Sequence, residues 1–233
     1  MKPFLEVVKL HGWYGESHVL HGVDIVVREG EVVSLLGRNG AGRTSTLRAI
    51  LGLLSRREGS IRIAGRETIG MSPYRIPRLG IGYCPEERGI FASLTAEENL
   101  ELPPRIDEGG MSLEEIYRIF PNLHDRRSSP GTKLSGGEQQ MLAIARILRT
   151  GAKLLLLDEI SEGLAPVIVQ KLAETIRMLK ARGYTILMVE QNFRFAAPLA
   201  DRFYVIEHGS VAMQLDQKDL LDRQEELARF LGV

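Results

Sequence analysis

A glycine-rich stretch at residues 37–44 has the composition and spacing of a phosphate site. It reads Gly37-Arg38-Asn39-Gly40-Ala41-Gly42-Arg43-Thr44. The apolar run 32–36 precedes it, and the helix-forming run 45–51 follows it. Glycines let backbone N–H groups close on phosphate oxygens, and a helix N-terminus adds the positive end of its dipole. The stretch therefore predicts an anion site between a buried strand and a helix.

One position departs from the frame G-x-x-x-x-G-K-[ST] of a P-loop. Thr44 is placed to reach Mg²⁺, but Arg43 stands where the frame has lysine. Arginine can neutralise phosphate, so we expect nucleotide binding to survive. Its planar fork is wider than the compact charge of lysine, and a misplacement of about 1 Å can slow a reaction about a hundredfold. We therefore expect slow hydrolysis of the bound nucleotide.

Two carboxylates follow another apolar run. Residues 154–157 are all leucine, and Asp158 and Glu159 come directly after them. Taken alone, this pattern indicates a buried strand that runs into a polar loop. Beside a P-loop it indicates more, because Asp158 fits an aspartate that holds Mg²⁺ and Glu159 fits a general base that activates water.

The composition is that of an ordinary soluble globular protein. The chain has 233 residues, of which 44% are hydrophobic and 26% charged. Thirty basic and thirty acidic residues balance, which argues against a nucleic-acid partner. Cys84 is the one cysteine, so we expect a reducing compartment and a small buried side chain. No apolar run approaches the ~18 residues of a membrane span, so a membrane role would come through a partner.

Apolar periodicity predicts alternating strands and helices on either side of a helical insert. Strands are predicted as short pieces over 4–27 and at 32–36, 59–63, 81–84, 154–157 and 185–189, with a hairpin at 203–206 and 211–215. Helices are predicted from Ser72, at 135–149, 166–181 and near 193–199, with a polar helical tail from Asp216. In the insert, capping boxes at Thr95 and Ser112 open two helical segments. This order predicts an α/β fold with a mainly parallel sheet, antiparallel strands at its edge and ligands at the carboxyl ends of the strands.

The stretch Leu134-Ser135-Gly136-Gly137-Glu138-Gln139-Gln140 connects these features to a family. Locally it is a third capping box that opens a helix, and its glycines leave bare N–H groups for an anion. The string also matches the signature motif of ABC ATPases, and the chain resembles that family over nearly its whole length. The resemblance implies a single ABC ATPase domain over 1–233. Residues 1–84 and 134–233 would form the P-loop NTPase core, and 85–133 a helical subdomain that contacts a permease.

The resemblance also implies ATP, Mg²⁺ and a set of site residues. The expected nucleotide-binding residues are Tyr14, which would stack on adenine, and Gly37, Asn39, Gly40, Ala41, Gly42, Arg43, Thr44 and Ser45 of the P-loop. Ser135, Gly136 and Gly137 are expected to close on the ATP of a second cassette in a head-to-tail dimer. Thr44, Glu86 and Asp158 are expected around the metal, and Glu159, Gln191 and Arg43 in catalysis. Glu86 stands where the wider family has glutamine, and Gln191 where it has the switch histidine.

Further strings resemble the LivF-type ATPase of importers for branched-chain amino acids. They are residues 139–146, 161–166 and 189–192, Arg75-Ile76 with 79–83, and the ending 230–233. This resemblance implies a second ABC ATPase, two permease subunits and a periplasmic binding protein as partners. The chain would then lie peripherally on the cytoplasmic side of a bacterial inner membrane. Importers for amides and urea share this architecture, so the solute stays open.

Two alternative functions differ from an importing ATPase. One is an ATP-sensing ABC cassette that scarcely hydrolyses and regulates a partner; Arg43 favours it, whereas Glu159 and the intact signature motif favour hydrolysis. The other is a soluble ABC ATPase of DNA repair or translation. It fits poorly, because the long coiled-coil insert of the repair type and the second cassette usual in the translation type are both missing.

Overall fold

Ten strands form two sheets within residues 2–220 and 222–231, which are the residues that the computed structural model describes. The first sheet contains β1 (Pro3–Tyr14), β2 (Ser17–Arg28), β4 (Arg56–Ile63) and β5 (Arg66–Glu67), in the order β2-β1-β4-β5. The second contains β3 (Val32–Leu36), β6 (Ile81–Cys84), β7 (Leu154–Asp158), β8 (Thr185–Val189), β9 (Arg202–Glu207) and β10 (Ser210–Asp216). Its order is β10-β9-β3-β8-β7-β6, parallel except for β10 at the edge. The expected α/β fold is confirmed, with the antiparallel strands mostly in a sheet of their own.

The central strands are apolar because both of their faces are covered. Every residue of β3, β7 and β8 is buried, which is the pattern of parallel strands between two layers. Leu154 and Leu156 of β7 belong to a core that contains residues of both sheets and the first helix. Leu155 and Leu157 belong to a second core, which lies under the remaining helices. One run of leucines therefore joins the two cores.

The helices pack against these sheets and begin where the local sequence caps them. They are α1 (Arg43–Ile50), α2 (Ala96–Glu101), α3 (Leu113–Ile119), α4 (Pro121–Asp125), α5 (Gly136–Arg149), α6 (Pro166–Ala181), α7 (Phe193–Ala196) and α8 (Gln224–Leu231). The capping boxes predicted at Thr95, Ser112 and Ser135 are all formed. Within the described residues, none of the helices is long and apolar enough to cross a bilayer.

The helical insert shares its core with the rest of the chain. Leu100, Ile116 and Phe120 are fully buried in the same cluster as Ile144 and Leu148 of α5. Helix α5 thus presents its apolar face to the insert as well as to the sheet. Cys84 is also buried there, as predicted, and burial raises the pKa of its thiol to about 12.

Several predicted elements differ from the observed ones in length or in type. Residues 4–27 form two paired strands of 12 residues each instead of short pieces. Register shifts allow this, because Lys9 takes a left-handed φ of 47° at one of them and the pairing resumes at Leu10. The segment after Ser72 forms 3₁₀ turns, and α7 stops at Ala196, two residues before Pro198.

The polar tail begins with a 3₁₀ turn and becomes helical only at Gln224. Leu220 and Leu227 are buried in the second core, so the tail packs on the chain. The ending 230–233, part of the LivF-type resemblance, lies outside the described residues at Gly232 and Val233.

A buried ion pair ties the two sheets together. Glu31, just before β3, is 7% exposed, and Arg202 at the start of β9 is 7% exposed. The guanidinium contacts both oxygens of Glu31, and its Nη2 also donates to the carbonyl oxygen of Val26 in β2. Since one side chain holds partners from both sheets, the pair fixes how the sheets stack.

We predict that Glu31→Gln destabilises the protein by on the order of 3–5 kcal/mol, because it leaves the buried charge of Arg202 unpaired. Urea unfolding measures the free energy of unfolding. Glu114→Gln is the matched control, since Glu114 pairs with Arg118 on the surface and is 85% exposed; it should change stability little. Equal effects of both changes would contradict this role for the pair.

Candidate nucleotide site

The glycine loop connects β3 to α1 and needs its glycines. Gly37, Gly40 and Gly42 have φ angles of 152°, 78° and 109°, in the region that favours glycine. A Cβ at Gly37 would lie 2.4 Å from the carbonyl oxygen of Ile206. The loop borders a cavity of ≈ 270 Å³ lined by Asn39, Gly40, Gly42, Arg43, Thr44, Ser45, Glu86, Glu159 and Glu162. Most of the predicted P-loop residues thus surround one cavity at the start of a helix.

Arg43 lies buried in this cavity wall with one nitrogen unpartnered. Its side chain is 4% exposed. Nη2 donates to Asn39 Oδ1 at 2.9 Å and to Glu159 Oε1 at 2.7 Å. Nη1 is buried and has no hydrogen-bond partner among the described residues. An unpaired buried donor is costly, and a phosphate oxygen would satisfy it, so the loop fits a nucleotide.

Asp158 ends β7 with a hydrogen bond on each oxygen. Thr44 Oγ1 donates to Oδ1 at 2.9 Å, and the Tyr83 hydroxyl donates to Oδ2 at 3.1 Å. Burial raises the pKa of Asp158, and these two hydrogen bonds oppose that rise. A carboxylate beside a threonine hydroxyl is an oxygen donor set that suits Mg²⁺. Tyr83 was missed from sequence, because nothing local shows that β6 lies beside β7.

Glu159 follows on the same edge with a strained backbone. Its φ is 48°, a left-handed value rare for glutamate, and its N–H donates to the carbonyl oxygen of Val189 at 2.9 Å. Burial and the neighbouring carboxyl group of Glu162 raise the pKa of Glu159 to about 7, while the charge of Arg43 lowers it. A carboxyl group that titrates near neutrality is well matched to general-base chemistry. The charge of Glu162 was also missed from sequence.

The remaining predicted residues surround this centre at different distances. Glu86 lines the same cavity. Gln191 is exposed and lines a neighbouring cavity of ≈ 710 Å³ together with Glu159 and Ser161. Tyr14 ends β1 with its side chain 38% exposed. The guanidinium of Arg48 lies beside its hydroxyl, which raises the pKa of Arg48.

The signature residues stay apart from the glycine loop of the same chain. Ser135 caps α5, and Gly136 and Gly137 form its first turn. A Cβ at Gly136 would meet the guanidinium of Arg88 at 3.3 Å, and one at Gly137 would meet Ile168 at 2.8 Å. The structure therefore does not bring these three residues to the cavity beside Arg43.

Glu190 is a second buried carboxyl group, between β8 and the loop after Glu159. It is 1% exposed and accepts hydrogen bonds from Ser161 Oγ at 2.7 Å and from the Ser161 N–H at 3.3 Å. Burial raises the pKa of Glu190 to about 8, against the lowering effect of Ser161. The contact joins the residue before Gln191 to the segment after Glu159.

A buried strand, a glycine loop, a helix and carboxylates at the end of a parallel strand define a P-loop nucleoside triphosphatase. The family model for ABC transporter matches residues 20–162. The high-affinity branched-chain amino acid transport ATP-binding protein BraG of Pseudomonas aeruginosa is 40% identical over 96% of this chain and 97% of that protein. The probable branched-chain amino acid transport ATP-binding protein LivF of Archaeoglobus fulgidus is 35% identical over 98% and 99%.

A solved structure of an ATP-binding subunit of an ABC transporter superposes with a TM-score of 0.81 at 30% identity. The alignment covers 99% of this chain and 100% of that one. The chain belongs to the ABC transporter family and is an ATP-binding cassette with ATPase activity coupled to transport. The resemblance inferred from the signature and LivF-type strings is confirmed.

The pKa of Glu190 differs between the unfolded and the folded chain, so the free energy of unfolding should depend on pH. An unfolded glutamate releases its proton near pH 4.5, whereas folded Glu190 keeps its proton to about 8. Between these values the folded state binds more protons, so this contribution to stability falls as pH rises, by up to ~1.4 kcal/mol per pH unit. Glu190→Gln removes the titration and should become more stable relative to wild type at about pH 8 than at about pH 5.

Urea unfolding at the two pH values measures this change. Glu174→Gln on α6 is the control, and its difference from wild type should be the same at both. A constant difference between Glu190→Gln and wild type would contradict the buried, protonated carboxyl group.

Proposed function

We propose that this chain binds and hydrolyses ATP to drive an importer for branched-chain or related amino acids. The assignment of the solute is supported by BraG and LivF, whose names state branched-chain amino acid transport. Both proteins align with this chain over nearly their whole length. Hydrolysis is supported chiefly by one contact: buried Arg43 bridges the P-loop residue Asn39 and the carboxylate of Glu159. That contact places a phosphate-neutralising charge beside a candidate general base.

The nucleotide would be held by the predicted residues in these roles. Tyr14 offers an exposed ring at a strand end for adenine, which aromatic side chains bind by stacking. The N–H groups of the glycine loop and Ser45 would bind the phosphates. Arg43 would donate a hydrogen bond from Nη1 to a phosphate oxygen. Thr44 and Asp158 would hold Mg²⁺, with Glu86 beside them. When bound, Mg²⁺ neutralises negative charge on the phosphates.

Hydrolysis would depend on Glu159 and Gln191. Glu159 would accept a proton from the attacking water, a role suited to its pKa of about 7. Gln191 would donate a hydrogen bond to the γ-phosphate from its side-chain amide, and unlike histidine it does not titrate. Arg43 would have to neutralise phosphate and support Glu159 at once, which is the physical reason to expect slow turnover.

The complete site would form between two cassettes. Ser135, Gly136 and Gly137 lie away from the glycine loop of their own chain, which suits a role at the ATP of a partner ATPase. The insert 85–133 would contact permease subunits and hold the chain at the cytoplasmic face of a bacterial inner membrane. A periplasmic binding protein would deliver the solute on the other side, and a faster partner cassette would supply much of the turnover.

Glu159→Gln tests hydrolysis against the alternative of an ATP sensor, which the relatives do not support. We expect the ATPase activity of the purified full-length chain to fall by about 10²–10⁴-fold and ATP to remain trapped in a stable dimer. Phosphate release and retained radiolabelled ATP are the two measurements. Glu174→Gln should leave both unchanged. If Glu159→Gln left phosphate release unaltered, the chain would act as a sensor.

Arg43→Lys tests whether the arginine slows ATP hydrolysis. Lysine lacks the fork that bridges Asn39 and Glu159, so it should free Glu159 and fit the phosphates more closely. We expect this cassette to hydrolyse ATP faster within the assembled complex, by up to about a hundredfold at its own site. Arg66→Lys, on exposed strand β5, is the control. No gain in rate over the parent complex would contradict the expected slow turnover.

A further inference from the structure

Tyr83 reaches the proposed metal site from the neighbouring strand. Strands β6 and β7 are parallel, and Tyr83 is paired with Leu156. Asp158 lies two residues beyond Leu156 in the same strand, so its side chain leaves the same face of the sheet. This register brings the Tyr83 hydroxyl to 3.1 Å from Asp158 Oδ2. The contact thus follows from the order and register of two strands.

The hydroxyl holds the carboxylate oxygen that Thr44 does not hold. Thr44 donates to Oδ1 and Tyr83 to Oδ2, and Asp158 is 1% exposed. The terminal torsion of an aspartate is soft, so a donor on each oxygen is needed to fix the plane of the carboxylate. Thr44 is itself a proposed metal ligand, whereas Tyr83 is a separate support from a different strand.

We propose that Tyr83 is a positioning residue, which orients Asp158 for the divalent cation of the nucleotide complex. This inference rests on the proposed function of the site. Partners that orient metal ligands typically change metal affinity by about 10–100-fold when they are removed. The nucleotide itself would be bound by the glycine loop and Arg43, which Tyr83 does not contact through a hydrogen bond. Loss of the hydroxyl should therefore weaken metal binding and leave metal-free ATP binding intact.

Tyr83→Phe removes the hydroxyl and keeps the ring. The full-length protein with ATP would be titrated with Mn²⁺, and free Mn²⁺ followed by electron paramagnetic resonance. We expect Mn²⁺ affinity of the ATP complex to fall about tenfold, with unchanged ATP affinity in EDTA. Tyr184→Phe is the matched control, because Tyr184 precedes the amino end of β8, whereas Asp158 lies at the carboxyl end of β7; it should leave both affinities unchanged.

The other outcomes distinguish a failure of the proposed role of Tyr83 from a failure of the proposed function. Wild-type Mn²⁺ affinity in Tyr83→Phe, with ATP still bound, would overturn the role of Tyr83 and leave the ATP site standing. A parallel loss of ATP affinity in EDTA would show a general structural role and would also overturn it. If the wild-type protein bound neither ATP nor Mn²⁺, the proposed function would fail, and this inference with it.

Discussion

The site depends on one buried positive charge. Arg43 is 4% exposed, and burial of a guanidinium requires charged or polar partners. Asn39 and Glu159 both accept hydrogen bonds from Nη2 and leave Nη1 without a partner among the described residues. Nη1 of Arg43 is the donor that suits a phosphate oxygen. Nη2 contacts Glu159, which is the candidate general base. In the proposed mechanism, a single side chain would therefore link phosphate binding to the protonation of the candidate base, and a lysine could not link them in the same way.

The sheet provides the geometry that this charge requires. Asp158 is paired with Val189, and Leu35 of β3 is paired with Val189 from the other side. Because parallel strands end at a common edge, the glycine loop, Asp158 and Glu159 meet there. The hydrogen bond from the Glu159 N–H to the Val189 carbonyl oxygen keeps Glu159 at that edge despite its left-handed backbone.

Features set by local sequence could be predicted, and features set by strand order could not. The capping box at Ser135 and the glycine loop need only residues close in sequence. The contact of Arg43 with Glu159 joins residues 116 positions apart, and that of Tyr83 with Asp158 joins residues 75 apart. Both require the order β3-β8-β7-β6, which periodicity does not specify. The lengths of β1 and β2 were missed for a related reason, since irregular pairing hides their alternation.

The affinity of Arg43→Met for ATP in the absence of metal tests the central claim most directly. Methionine removes the charge and keeps a side chain of similar length. A charge-assisted hydrogen bond contributes roughly 1.5–3 kcal/mol, so the account predicts that the dissociation constant measured by calorimetry rises about 10- to 100-fold. Arg66→Met on the surface should bind ATP as the wild type does. Equal ATP affinity of Arg43→Met and the wild-type protein would contradict the account.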